Sequence, residues 1–205
     1  MRIAILIEGK TECAFLDALR SFLQTRLEGK MPKLDPVPYD GGIPKGDFLR
    51  RDVSTLLNAP GAKANAVIAL TDVYTGSEPP DFADAADAKK KMREWVGNEK
   101  RFHPHAAQYD FEAWLLPYWG YLQELAGHDV SCPGLDPEKV DNSNPPSKHI
   151  QDLFRRGSKG RSYVKARDAG RILRKNGLSL SISKCRELRE LVNTILQLCG
   201  EPPIS

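Results

Sequence analysis

Two aliphatic runs limit the folds open to this chain more than any other feature. Ile3-Ala-Ile-Leu-Ile7 and Ala66-Val-Ile-Ala-Leu70 have no polar residue alternating with the apolar ones. Each therefore predicts a strand buried on both faces, as in a parallel sheet. Leu34 to Tyr39 reads as another strand, and Pro36 and Pro38, which lack a ladder N–H, place it at a sheet edge. Phe102 to Tyr109 reads as a fourth. Phe15, Leu16, Leu19, Phe22 and Leu23 fall at helical spacing, which predicts a helix from about Glu12 to Leu27, capped by Thr11 and closed by Gly29. Glu12 then fits a first-turn charge facing the helix dipole. Helices over about 47–57 and 83–97, a loop from Thr75 to Asp81, and a helix opening at Phe111 complete the alternation. The pattern predicts an α/β layer fold with a mostly parallel central sheet and right-handed crossovers. In such sheets the functional site lies at the carboxyl ends of the strands.

After about Gly127 the texture changes. Residues 1–127 read as the α/β domain, and 128–205 as a linker followed by a helical basic region packed on it. Asp129 to Pro146 is rich in Pro, Asp, Asn and Ser and reads as a loop. Helical patterns follow over Ser147–Arg156, Val164–Asn176 and Lys184–Leu198, with residues 200–205 read as a frayed tail. From Lys148 to Arg189 there are 13 Lys or Arg against 3 Asp or Glu. That segment carries +10, so with a net charge of +3 the rest of the chain carries −7. A strongly basic half joined to an acidic one points to a phosphate-rich partner, against the alternative of solvated helix faces.

Composition removes other classes. The chain is 40% hydrophobic and 28% charged, which excludes wholesale disorder. No uncharged apolar run, that of Ile3 to Ile7 included, approaches the roughly 18 residues of a membrane span. Glu8-Gly9-Lys10 follows that run too soon for a signal peptide, so the expected compartment is the cytoplasm. Cys13, Cys132, Cys185 and Cys199 lack the spacing of a zinc or redox motif and read as reduced thiols, mostly buried. His103 and His105 share one strand face with no acid or Cys at zinc spacing. Gly41-Gly-Ile-Pro-Lys-Gly46 lacks the ending of a phosphate-binding loop, reads as a flexible loop, and gives no ground for an intrinsic ATPase.

The chemistry lies in the acids. Glu8 ends the first strand, Asp72 ends the third, and Asp110 and Glu112 follow the fourth in Gln108-Tyr-Asp-Phe-Glu-Ala113. Each alone is explained by a helix cap or the helix dipole. Together, at one sheet edge, they call for a hard divalent cation such as Mg2+ or Mn2+. In the basic half, Lys148 and Lys165 open helices, where a lysine opposes the dipole unless an anion is bound there. Arg155, Arg156, Lys159 and Arg161 surround a Gly-Ser-Lys-Gly loop, and Arg167 and Arg171 continue along the next helix. They form a candidate surface for tracking phosphates, with Tyr163 a candidate base stacker or a packing residue.

Ile5-Leu-Ile-Glu-Gly-Lys-Thr-Glu12 resembles the first motif of TOPRIM (topoisomerase–primase) domains, and Asp72-Val-Tyr74 resembles their Asp-x-Asp motif with Tyr74 in place of the second Asp. The succession of these pieces with Phe111-Glu-Ala113, Pro146-Ser-Lys148 and Tyr163-Val-Lys165 is similar to a bacterial TOPRIM-like domain-of-unknown-function family. That family is related to the nuclease domains of OLD-type (overcoming lysogenization defect) proteins. The matching pieces run from Glu8 to about Arg189. The resemblance implies a Rossmann-like sheet and a Mg2+- or Mn2+-dependent nuclease acting on DNA or RNA. Glu8 would be base or ligand, Asp72 and Glu112 ligands, Asp110 a further one, and Lys148 or Lys165 the group that offsets transition-state charge. It also implies an ABC-type ATPase encoded nearby, in a phage-defence or mobile-element setting. Tyr74 favours the alternative of a catalytically weak module that binds nucleic acid or an effector and regulates that ATPase.

Overall fold

In the computed structural model, residues 1–61, 63–74, 80–140 and 144–205 are described, the side chains of Lys10 and Glu12 excepted. Most of the loop read from Thr75 to Asp81, and the dipole role of Glu12, therefore lie outside the described residues. The chain runs β1 (Arg2–Glu8), α1 (Gly9–Gln24), β2 (Lys33–Tyr39), α2 (Gly46–Asn58), β3 (Ala66–Asp72), α3 (Ala85–Val96) and β4 (Phe102–Ala107). A 3-10 helix (Phe111–Tyr118) leads into α4 (Trp119–Ala126). A short 3-10 turn (Pro137–Lys139), α5 (Pro146–Arg156), α6 (Lys165–Asn176), α7 (Ser179–Lys184) and α8 (Arg186–Leu198) follow.

The four strands form one parallel sheet in the order β2-β1-β3-β4. The two aliphatic strands are therefore central, and their residues divide by parity between two cores. Ile3, Ile5, Ile7, Ile68 and Leu70 pack on the side of α1, the 3-10 helix and α4 to α8. Ala4, Leu6, Val67 and Ala69 pack on the side of α2 and α3. Strand β2 is at the edge as its prolines require. The Lys33 N–H bonds to the Met1 carbonyl, just before β1, at 2.9 Å. Pro36 and Pro38 have the opposite parity, so the N–H groups they lack would point away from the sheet.

The larger core runs from Ile3 to Leu196 and takes in residues on both sides of position 128, among them Ile150, Phe154, Ile172 and Leu191. At its centre Phe15, Phe111 and Trp114 meet with ring centroids 5.4–5.6 Å apart. Among the described residues no helix is long and apolar enough to cross a membrane.

Several expectations change. Helix α1 starts at Gly9, so Glu8 and not Thr11 occupies the N-cap position; Gly9 at φ +77° allows the chain to turn straight from strand into helix. Ser179–Lys184 is a helix, α7, that alternating Ser and apolar residues concealed; the Ser181 hydroxyl bonds the Trp114 carbonyl at 2.5 Å. The C-terminal residues are not frayed. Asn193 exchanges two hydrogen bonds with the backbone of Ile204 (2.7 and 3.0 Å), and Glu201 pairs with Lys30 at 3.1 Å. The loop read over 129–146 contains the short 3-10 turn, whose Glu138 carboxylate accepts the N–H groups of Arg186 and Glu187 at the start of α8. Of the four free thiols, Cys185 is buried, Cys13 and Cys199 are half-buried, and Cys132 is exposed.

Asp168 is fully buried in the first turn of α6. It accepts from Arg161 (2.5 Å), Arg167 (2.9 Å) and the Val164 N–H (2.8 Å). Burial pushes its carboxyl up, but the bonds from Arg167 and Val164 and the two guanidinium charges outweigh it and hold the carboxyl below the usual range. Its stabilising contribution is therefore complete above about pH 4 and is lost as pH falls through the depressed native value. Asp168→Ala should cost about 3–5 kcal/mol in urea denaturation at pH 7, because it strands Arg161 beside the core. A loss below about 0.5 kcal/mol would show that the cluster is not structural.

Candidate functional site

Glu8 and Asp72 are the last residues of the neighbouring central strands β1 and β3. The Glu8 carboxylate accepts the Thr71 hydroxyl and the backbone N–H groups of Asp72 and Ile43. The Ile43 N–H arrives through the Gly41-Gly42 turn, where φ is +79° and +110°, conformations that favour glycine. The stretch read as a flexible loop thus holds one side of the site. Lys45, which pairs with Asp81 at 2.6 Å, adds positive potential. Even so, burial dominates and pushes the Glu8 carboxyl above its ordinary value.

The second pair of acids follows β4. Tyr109 takes a left-handed backbone (φ +69°), uncommon for a bulky residue, and its carbonyl accepts the Tyr74 N–H at 2.5 Å. The turn delivers Asp110 and Glu112 to the base of the 3-10 helix, where both are buried. Asp110 accepts the Ser147 N–H on Oδ2 at 3.1 Å, while its Oδ1 is buried without a partner. Glu112 accepts the Tyr163 hydroxyl on Oε1 and the Lys165 ammonium on Oε2, each at 3.2 Å. Burial raises both carboxyls, and for Glu112 the neighbouring Asp110 raises it further while Lys165 opposes the shift.

Lys165 joins the two halves of the edge. Burial lowers its pKa, but Glu112, Asp110 and Asp72 together overcome that and raise it, so the ammonium stays charged at neutral pH. The other basic candidates divide. Lys148 is exposed in the first turn of α5. Arg156 and Arg171 are exposed, and Arg155 is exposed with Asp152 at 2.9 Å. Lys159 reaches the Glu124 carbonyl at 2.7 Å. Arg161 and Arg167 are engaged by Asp168, and Arg161 also lies over the Phe154 ring at 5.4 Å. Tyr163 packs its ring 5.6 Å from that of Phe154.

Among the described residues no three His, Cys, Asp or Glu side chains gather into a set able to hold a metal ion. Glu112 has both oxygens engaged, by Tyr163 and Lys165, whereas Asp110 gives Oδ2 to Ser147 and keeps Oδ1 without a partner. Glu8 and Asp72 end adjacent strands and place two hard oxygen donors at the same edge. That suits an ion such as Mg2+, which takes one or two carboxylates and completes its shell with water and substrate phosphate. His105 lies apart from the acids, with its Nε2 3.0 Å from the Thr194 hydroxyl; burial, then Lys89, lowers it to about 3, so it is neutral.

The fold and this edge define an open α/β domain whose acids converge at the carboxyl ends of a parallel sheet. The chain belongs to the family described as Domain of unknown function (DUF4276), which matches residues 7–196. Its fold is similar to the C-terminal region of the Burkholderia pseudomallei OLD protein, with a TM-score of 0.54 and 14% identity over 97% of this chain and 98% of that one. The C-terminal region of the Xanthomonas campestris pv. campestris OLD protein is also similar, with a TM-score of 0.46 and 15% identity over 97% and 98%. No curated protein matches the chain.

Lys165→Met should lower thermal stability at pH 8 and do so less at pH 5. Glu112, already raised, then takes a proton as the pH falls and no longer sits as an unpaired buried anion. Adding Glu112→Gln should restore most of the loss at pH 8. A deficit independent of pH would contradict the pairing.

Proposed function

We propose that this chain is a TOPRIM-type, divalent-metal-dependent nuclease that hydrolyses nucleic-acid phosphodiesters. The observation that carries the reading is the convergence of Glu8 and Asp72 from adjacent strands beside Lys165, whose charge acts on Asp72, Asp110 and Glu112. Glu8 and Asp72 would hold Mg2+ or Mn2+. When bound, the ion supplies a Lewis acid for a phosphoryl oxygen and acidifies water.

The chain's own residues do the rest. Glu8 would also accept the proton of the attacking water. Lys165, charged and braced by Glu112, faces the negative charge that builds on the phosphoryl oxygens. Tyr163 and Asp110 are positioning residues that hold Glu112 and the start of α5. Exposed Lys148, Arg155, Arg156 and Arg171 offer a sequence-blind surface for the rest of the backbone. The similarity to OLD C-terminal regions supports the fold on which this reading rests. An ABC-type ATPase acting in trans, in a cytoplasmic phage-defence or mobile-element system, belongs to the same proposal.

Tyr74, in place of a second acid, and the lack of a three-ligand set among the described residues favour a second reading. In it the domain binds nucleic acid or an effector and signals to the ATPase without cutting.

Under the nuclease reading, mixed DNA and RNA substrates are cleaved with Mg2+ or Mn2+. Lys165→Met should reduce the rate by about 100-fold to 1,000-fold, and Glu8→Gln and Asp72→Asn at least as much. If Glu8→Gln cuts as fast as the parent, the assignment fails. If the parent is inert with and without the ATPase, the binding reading replaces it.

A further inference from the structure

We propose that Tyr74 is a stacking platform for an unpaired base, which makes single-stranded nucleic acid the substrate class of the acidic edge; this rests on the nuclease reading above. The Tyr74 side chain is 50% exposed, and among the described residues neither its ring nor its hydroxyl has a partner. Its backbone is nonetheless fixed. The Tyr74 N–H bonds the Tyr109 carbonyl at 2.5 Å, and the preceding Val73 is buried and bonds the Ala107 carbonyl at 3.1 Å. An exposed ring on a fixed stem loses little freedom when a flat partner covers it.

Its place in the chain connects it to the chemistry. Tyr74 is two residues beyond Asp72, which keeps the two within about 7 Å along the backbone. It is tied to the residue immediately before Asp110. A nucleotide whose phosphate lies at Asp72 and Lys165 has its base within reach of this ring. Val164, 46% exposed and next to Lys165, offers apolar surface beside the same cation. The aromatic ring of the basic half, that of Tyr163, is turned inward on Phe154, with its hydroxyl on Glu112. Stacking favours an unpaired base because the faces of duplex bases are already covered by their neighbours.

Affinity for a fluorescein-labelled single-stranded oligonucleotide of about 12 nucleotides, and for the matching duplex, would be measured by anisotropy in Ca2+. Parent, Tyr74→Phe and Tyr74→Ala would be compared, with 2-aminopurine in the single strand reporting stacking. Tyr74→Ala should weaken single-strand binding about 10-fold, leave duplex binding unchanged and abolish the 2-aminopurine quench, whereas Tyr74→Phe should retain both. Equal single-strand affinity of parent and Tyr74→Ala overturns this inference alone. No binding of either nucleic acid by the parent overturns the nuclease reading together with it. The exposed position makes misfolding of the variants unexpected, and circular dichroism checks it.

Discussion

The ion pair between Lys165 and Glu112 is the interaction on which the arrangement depends. A parallel sheet gathers the ends of its strands at one edge, and here three of those ends bring acids. Two of them, Asp110 and Glu112, are buried, where an uncompensated charge is costly. Lys165 comes from α6, more than fifty residues later, and meets Glu112 at 3.2 Å. Because α6 itself packs into the larger core through Ala169, Ile172 and Leu173, the cation is delivered by the packing of the helical half. Glu8 is treated differently. Its carboxylate is served by neighbouring backbone N–H groups and the Thr71 hydroxyl rather than by a buried cation.

Much of this was legible because it is local. Uninterrupted aliphatic runs announced central strands, and paired prolines of one parity announced an edge strand. The positions of Glu8 and Asp72 followed from where those strands had to stop. What stayed hidden depends on contacts distant in sequence. Nothing near Asp168 says that it is buried, since its partners Arg161 and Arg167 look like two members of a basic stripe. Thr11 was a good cap by type, but Gly9 allowed an earlier start to the helix. The fixed tail depends on Asn193 of α8, which no local pattern links to Ile204.

The same distinction changes the meaning of the basic half. Its surplus of charge suggests a continuous phosphate-binding face, yet Arg161 and Arg167 neutralise a buried aspartate, and Lys165 holds a buried glutamate. The cations not tied to a buried acid form a smaller set. Charge counting therefore overstates the interface, because a cation that balances a buried acid contributes little net field at the surface. Tyr163, read as a base stacker or a packing residue, packs inward on Phe154, while Tyr74, noted for the acid it replaces, is exposed.

The central claim is that the acids have separate duties: Glu8 and Asp72 hold the ion, and Glu112 holds Lys165. Mn2+ binding followed by electron paramagnetic resonance tests this most directly. Binding should be lost in Glu8→Gln and in Asp72→Asn and should persist in Glu112→Gln. Loss in Glu112→Gln with retention in Glu8→Gln would contradict the account.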